Sequence, residues 1–188
     1  MMGRDGLAAP KKSDILFVIC IWLALAFGNA MHAVTEVRVV SGICFSFGLV
    51  VMAFTDIRWG LLFDKLNILF FVAGIVSLYM EGLSFPMHLA GCGLGGLFLY
   101  GLRLMSHGGL GLGDVKYGMV LGFWLGPLLF YASVLIAFVL GGLFAVVLIV
   151  RRQIHWKAHL PFGPFLSIGA YIGFLYRAEI LTWYWALL

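Results

Sequence analysis

Long apolar runs recur along the whole chain, each closed by a short cluster of charge, glycine or proline. A helix crossing a bilayer core of about 30 Å needs about 20 apolar residues. Measured against that length, the pattern predicts seven spans: roughly Ile15 to Ala33, Val39 to Thr55, Leu66 to Met80, Pro86 to Met105, Val115 to Leu125, Leu128 to Val150 and Phe162 to Trp185. The runs are continuous rather than alternating, which predicts helices and not barrel strands. The fifth run is short, so a tilted, broken or partly re-entrant helix is expected there. No repeat or low-complexity linker interrupts the series.

Composition points the same way. Of 188 residues, 63% are hydrophobic and only 11% charged, and the mean hydropathy is +1.08; a soluble core cannot hide so large an apolar majority. The fold class is therefore all-α, a polytopic integral membrane protein. Arg4, Lys11 and Lys12 before the first run, and Gly28 and Ala30 near its end, also resemble a signal peptide. The run is long for a cleaved segment, and a retained first helix is expected. Cys20, Cys44 and Cys92 lie singly in apolar runs with no CxxC pair, so buried unpaired thiols are expected rather than a zinc knuckle or a disulfide framework.

Charge sets the expected orientation. With the N-terminus inside, Arg4, Lys11, Lys12, Arg58, Lys65, Arg103, Lys116, Arg151, Arg152 and Lys157 fall on the cytoplasmic side, and only Arg38 and Arg177 outside. The net charge of +4 is thus a topology signal spread over several loops. It predicts contact with anionic lipid headgroups and no nucleic-acid partner. The same alternation puts "TDIRWGLLFDKLN" and "SHGGLGLGDVK" on one face.

Eight acidic residues occur. Asp5, Asp14, Glu36 and Glu81 fall in the N-terminal tail or at expected helix ends, where solvent or headgroups account for them. Glu179 is expected to snorkel to the outer interface. Asp56, Asp64 and Asp114 remain, each at the end of an apolar run, and an ionisable group at a membrane-embedded helix end is a functional candidate. Helix N-termini also favour carboxylates, which is an alternative account of Asp64 and of Asp114. That account leaves Gly108, Gly109, Gly111 and Gly113 unexplained; so permissive a backbone suits a sharp bend or a close approach to another surface. The loop lacks the GKS or GKT ending of a phosphate-binding loop. Two carboxylates drawn together cannot both ionise easily, so such a pair retains one proton. One group then activates water while the other donates a proton, the chemistry of an aspartyl protease.

Three stretches carry a resemblance to the type IV prepilin peptidase family of GxGD membrane aspartyl proteases. "GLGLGDVK" holds the GxGD element with Gly111 and Gly113, followed by Val115 and Lys116; "DIRWGLLFD" resembles the first-aspartate motif; "LPFGPFLSIGA" is similar to the C-terminal PFGP signature with Pro161, Gly163 and Pro164. The resemblance implies that Asp56 and Asp114 are the catalytic pair and that Asp64 is an acidic motif position outside it. It implies a six-helix peptidase core over residues 37–188, preceded by a tail and one additional helix over residues 1–36. The implied substrates are prepilin or pseudopilin precursors with a short basic leader, a glycine before the cut and an apolar helix after it. They would be cut at the cytoplasmic side of a bacterial inner membrane. Phe63 departs from the family, which often has proline there. Longer members carry an N-terminal region with paired cysteines and also methylate the product, so methyl transfer is not expected of this sequence.

His107, His155 and His159 are read as solvated loop histidines, and no metal or cofactor is expected. Pro161 and Pro164 are expected to break the chain before the last helix. Two other readings stay open: a small proton- or cation-coupled transporter, which would place acids near the membrane midplane, and a presenilin-like GxGD protease. A noncatalytic scaffold would need neither the paired aspartates nor the glycine loop.

Overall fold

The computed structural model describes residues 10–107, 109–152 and 161–186. These form eight helices: α1 (Lys12–His32), α2 (Glu36–Trp59), α3 (Asp64–Met80), α4 (Phe85–Met105), α5 (Leu112–Leu125), α6 (Pro127–Val150), α7 (Gly163–Leu175) and α8 (Arg177–Ala186), with no strand among the described residues. Four of them, α1, α2, α4 and α6, are long and apolar enough to cross a membrane. The chain is a multi-pass membrane protein.

Local chemistry sets the helix boundaries. The Thr35 hydroxyl accepts the Arg38 N–H at 3.3 Å and opens α2, and Gly60, left-handed at φ 61°, closes it. Pro86, Pro127 and Pro164 stand in the first two positions of α4, α6 and α7, where a missing N–H costs nothing. The last apolar run, expected as one helix, is two. Its break at Tyr176 sets Arg177 3.9 Å from Glu81 at the end of α3. Glu81 is therefore paired and largely buried, not the solvated acid that its position suggested.

α5 has 14 residues, about 21 Å at 1.5 Å per residue, too short to cross the bilayer. Ten of them are buried, because α5 is enclosed by α3, α4, α6 and α7. Irregular or short backbone elements are tolerated at membrane depth when protein, not lipid, surrounds them. Glycine permits this enclosure. A Cβ on Gly122 would strike the Gly91 carbonyl and one on Gly91 the Gly122 carbonyl, so α4 and α5 cross in backbone contact. Gly169 meets the Ser133 carbonyl in the same way between α7 and α6. Small residues at crossings are the usual solution where lipid removes the hydrophobic drive between helices.

An aromatic cluster fills the centre. Phe45 stacks on Phe174 and lies 5.0 Å from the Trp124 ring, and the Trp124 indole donates to the Phe70 carbonyl at 3.0 Å. The outward face is apolar, aliphatic along Leu135, Val139, Leu143 and Val146 of α6 and aromatic at Phe17, Phe27 and Phe47. Cys20 and Cys44 belong to that outward face and Cys92 is half-buried; all three are free. The expectation of buried thiols fails because, in lipid, a soft apolar side chain gains little by facing inward.

The α4 and α5 crossing yields a prediction. Gly122→Ala pushes two backbones apart and is expected to cost about 1–3 kcal/mol, whereas Gly142→Ala, with open space around its Cβ, is expected to be neutral or stabilising through helix propensity. Thermal unfolding of both variants in one detergent is the check. Equal midpoints would contradict the packing account.

Candidate active site

Asp56 occupies the last turn of α2 and Asp114 the first turn of α5; each is less than a tenth exposed. Both lie at the same end of the bundle, where Gly113, next to Asp114, packs against Leu62, shortly after α2, and burial there disfavours two charges. Asp64 and Lys116 also lie at this end, with the first turn of α7. The structure thus brings the three sequence motifs to one end of the bundle.

A backbone N–H holds one oxygen of each carboxyl. Asp56 Oδ2 accepts the Gly163 N–H at 2.9 Å, and Asp114 Oδ2 accepts the Gly111 N–H at 3.1 Å. Both donors sit at helix starts, where N–H groups lack intrahelical partners and the dipole favours negative charge. The capping account of Asp114 is therefore correct for one oxygen. Its other oxygen, Oδ1, is buried with no hydrogen-bond partner among the described residues. A buried carboxyl oxygen without a partner is costly in a folded protein.

The glycines work through close approach rather than bending. Gly109, Gly111 and Gly113 all have ordinary negative φ; the left-handed residue of this turn is His107, at φ 51°. Gly108 lies outside the described residues. A Cβ on Gly111 would sit 3.0 Å from Asp114 Oδ2, and one on Gly113 3.1 Å from the Leu62 Cβ, so the loop fits against its own carboxylate and against the segment after α2. The Arg103 guanidinium donates to the Leu110 carbonyl and ties the loop to the end of α4.

Gly163 carries more of the site than its sequence suggested. Beyond donating to Asp56, it leaves no room for a side chain, since a Cβ there would lie 2.7 Å from Asp56 Oδ2. A brace that sequence reasoning missed fixes it further. The Tyr117 hydroxyl lies 2.8 Å from Ser167 Oγ, and Ser167 donates to the Gly163 carbonyl at 2.9 Å. Tyr117 stands one turn beyond Asp114 on α5, so the brace links the Asp114 helix to the group that holds Asp56. Part of this was available as a signal: Pro164 marks a helix start at Gly163 and hence a free N–H. Nothing in the sequence distinguished Tyr117 or Ser167 from ordinary helix residues.

Asp64 opens α3 without accepting a capping bond. Its carboxylate instead receives Lys116 Nζ at 2.8 and 2.9 Å, joining the first motif to the GxGD element through an exposed ion pair. Asp14 likewise pairs with Arg58 at 3.5 Å. Pro161 precedes α7 and Pro164 lies in its first turn. His107 is exposed; His155 and His159 lie outside the described residues.

A model of the type IV leader peptidase family matches residues 43–146. The chain is 29% identical over 137 residues to a prepilin leader peptidase/N-methyltransferase of Bacillus subtilis, covering 72% of this chain and 55% of that one. With the protein of the same name from Aeromonas hydrophila it shares 28% over 191 residues, 98% of this chain and 66% of that one. The leader peptidase HopD of Salmonella typhimurium is 40% identical over 89 residues, 45% and 56% of the two chains. The chain therefore spans between about half and two thirds of the length of these relatives. No solved structure matches it.

The brace predicts an asymmetry between two variants. Tyr117→Phe leaves Ser167 still bonded to Gly163 and is expected to cost about 0.5–1.5 kcal/mol. Ser167→Ala strands a fully buried tyrosine hydroxyl and is expected to cost about 1–3 kcal/mol. Denaturation in detergent ranks them, and the reverse order would contradict the hydrogen-bond assignment.

Proposed function

The chain belongs to the type IV leader peptidase family, and from that premise we propose that it is a membrane aspartyl endopeptidase that removes the leader from prepilin-like or pseudopilin precursors. The observation that carries the reading is the pair of buried carboxyls at one end of the bundle, each anchored through one oxygen by a backbone N–H. In the proposed reaction Asp56 and Asp114 share one proton. The ionised partner accepts a proton from water as the water oxygen attacks the scissile carbonyl. The protonated partner donates to the carbonyl oxygen and later a proton passes to the leaving amine. Oδ2 of each group is committed to its backbone donor, which leaves the second oxygen of Asp114 to face the reactants. Positioning by Gly111 and Gly163 supplies the fixed geometry that such a step requires.

The relatives' names join a leader peptidase to an N-methyltransferase; the aspartate pair accounts for the peptidase half. In this reading residues 37–188 are the peptidase core and α1 an additional helix before it. The active site faces the cytoplasm of a bacterial inner membrane, supported by the ten-to-two division of basic residues. A proton-coupled transporter is less well supported, since the three acids gather at one end of the bundle rather than near its middle. Asp64 and Lys116 support the site from its rim and take no part in proton transfer.

Asp56→Asn and Asp114→Asn are each expected to lower precursor cleavage by about three orders of magnitude or more, with the double variant little worse, because members of a cooperating set are non-additive. Asp64→Asn is expected to cost far less, its exposed ion pair being worth about 1 kcal/mol or less. Membrane abundance is matched first, and the product is read by N-terminal sequencing. Near wild-type cleavage by either first variant at normal abundance would sink the paired-carboxyl mechanism.

Orientation has its own test. In a background with Cys20, Cys44 and Cys92 replaced by alanine, Leu61→Cys and Gly109→Cys are expected to resist an impermeant thiol reagent in intact cells and to react after permeabilisation. Ready labelling of either from outside would place the site on the other face.

A further inference from the structure

A cavity of about 320 Å³ lies between α1, α2 and α7, walled by Phe17 and Ile21 of α1, Ala53 and Ile57 of α2, and Pro164 and Ile168 of α7. Among the described residues no charged side chain lines it, and its two hydroxyls are committed elsewhere: Ser167 donates to Gly163 and Tyr171 to the Leu25 carbonyl at 2.9 Å. Ile57 and Pro164 are the chain neighbours of Asp56 and Gly163, which bond each other. One end of the cavity therefore lies beside the candidate active site, and the rest runs along α1 as a groove edged by the outward-facing Phe17, Ile57 and Ile168.

The attachment of α1 is uneven. From Trp22 onward it is pinned: the Trp22 indole donates to the Ile43 carbonyl at 3.2 Å, the Asn29 amide to the Gly42 carbonyl at 2.7 Å, and Leu25 receives Tyr171. Toward the active-site end, the polar side-chain link to its neighbours among the described residues is the Arg58 and Asp14 pair at 3.5 Å, the kind of partly exposed ion pair that holds weakly. Between these two attachments α1 stands off from α2 and α7, and the cavity fills the gap.

The geometry points to this groove as the docking site for the apolar helix that follows the cleaved bond, with α1 as one wall. The inference rests on the peptidase reading above. The volume is at the small end of ligand pockets, about 300–1,000 Å³, so it accepts a few side chains from one face of a helix, in the manner of helix-in-groove recognition. A helix seated there, its polar end toward Ile57 and Pro164, brings the peptide bond before it to the carboxylates. Purely apolar walls grip any helix of suitable shape, so they hold the substrate without reading its sequence. Remote binding of that kind supplies energy for positioning at the reacting bond. The groove between α2 and α3 is smaller, about 160 Å³. The one bounded by Asp64 and Lys116 is larger, about 370 Å³, but it is charged, and its α5 residues Lys116, Met119 and Val120 fall on the side of the helix opposite Asp114 at 3.6 residues per turn.

Ala53→Phe fills the groove one turn from Asp56 and tests the assignment in liposomes. Two substrates are compared: a full precursor with a short basic leader and an apolar helix, and a soluble peptide ending a few residues after the cut. A rise in KM of about ten-fold or more for the precursor, with kcat and soluble-peptide cleavage unchanged, is the expected result. Unchanged precursor cleavage, or equal loss on both substrates, would overturn it. A wild-type protein that cleaves neither substrate would instead refute the peptidase reading. If Ala53→Phe does not fold, the Asp114→Asn protein carrying benzoyl-phenylalanine at Ile168 decides: a photoadduct with the precursor's apolar segment, absent from a control at Leu69, supports docking. Adducts with lipid alone, or equal adducts at both positions, overturn it.

Discussion

The bond from the Gly163 N–H to Asp56 Oδ2 joins the first turn of α7 to the last turn of α2, 107 residues earlier in the chain. Much of the site follows from it. Such a bond requires a helix start without a side chain at that point, because a Cβ would occupy the space of the carboxylate. It requires α7 to begin there, which Pro164 favours through its fixed φ. It also requires the register of α7 to be held, and the bond from Tyr117 to Ser167 does so from α5. The position of Asp56 relative to the helix that carries Asp114 is thus set by a chain of hydrogen bonds from Asp56 through Gly163 and Ser167 to Tyr117 of α5. Both carboxyls face the N-terminal ends of short helices, which stabilise a negative charge, while burial disfavours a second one. A pair holding a single charge is the arrangement that acid and base roles require.

The bilayer explains why this chain of contacts is built from glycine and hydroxyls. Apolar side chains gain nothing by leaving lipid for an apolar interior, so packing must come from close backbone approach and from satisfied polar groups. Backbone contact between α4 and α5 lets a helix too short to span be largely enclosed, which buries Asp114 in its first turn at one end of the protein. At the other end the partly buried Arg177 and Glu81 pair ties the start of α8 to the end of α3. Between the two ends, aromatic stacking around Phe45, Phe70 and Trp124 is joined by single bonds from indole and phenol groups to backbone carbonyls, as from Trp124 to Phe70 and Tyr171 to Leu25.

Helix number and extent were largely legible because uninterrupted apolar runs bounded by charge or proline have few other physical solutions in a membrane. The three motifs were legible as residues, and their gathering at one end followed from alternating topology. Inter-helix contact was not legible. In a soluble helix a polar stripe marks the outside; here both lipid and core are apolar, so the sequence around Cys20 and Cys44 carried no sign that they face outward. The pair formed by Asp64 and Lys116 spans 52 residues, and nothing local announces it. Arg177 and Glu179 looked like charges inside a single last helix, whereas the partner of Arg177 is at the end of α3. The glycine loop was recognised for its permissive backbone, yet its function is steric: the chain near Gly113 lies against Leu62, and no left-handed glycine is needed among the described residues of the loop.

One consequence concerns how the bundle tolerates change. The carboxylates depend on α2, α5 and α7, whose mutual positions are fixed by the Gly163 to Asp56 bond and the Tyr117 to Ser167 bond. α1 depends on a few hydrogen bonds along one side and leaves a cavity along the other. Elements with few buried contacts are the ones that move or open at low cost. The first helix thus combines secure anchoring far from the aspartates with freedom beside them, and a wall of that kind admits an apolar partner from the lipid without disturbing the rigid frame that holds the two carboxyl groups together.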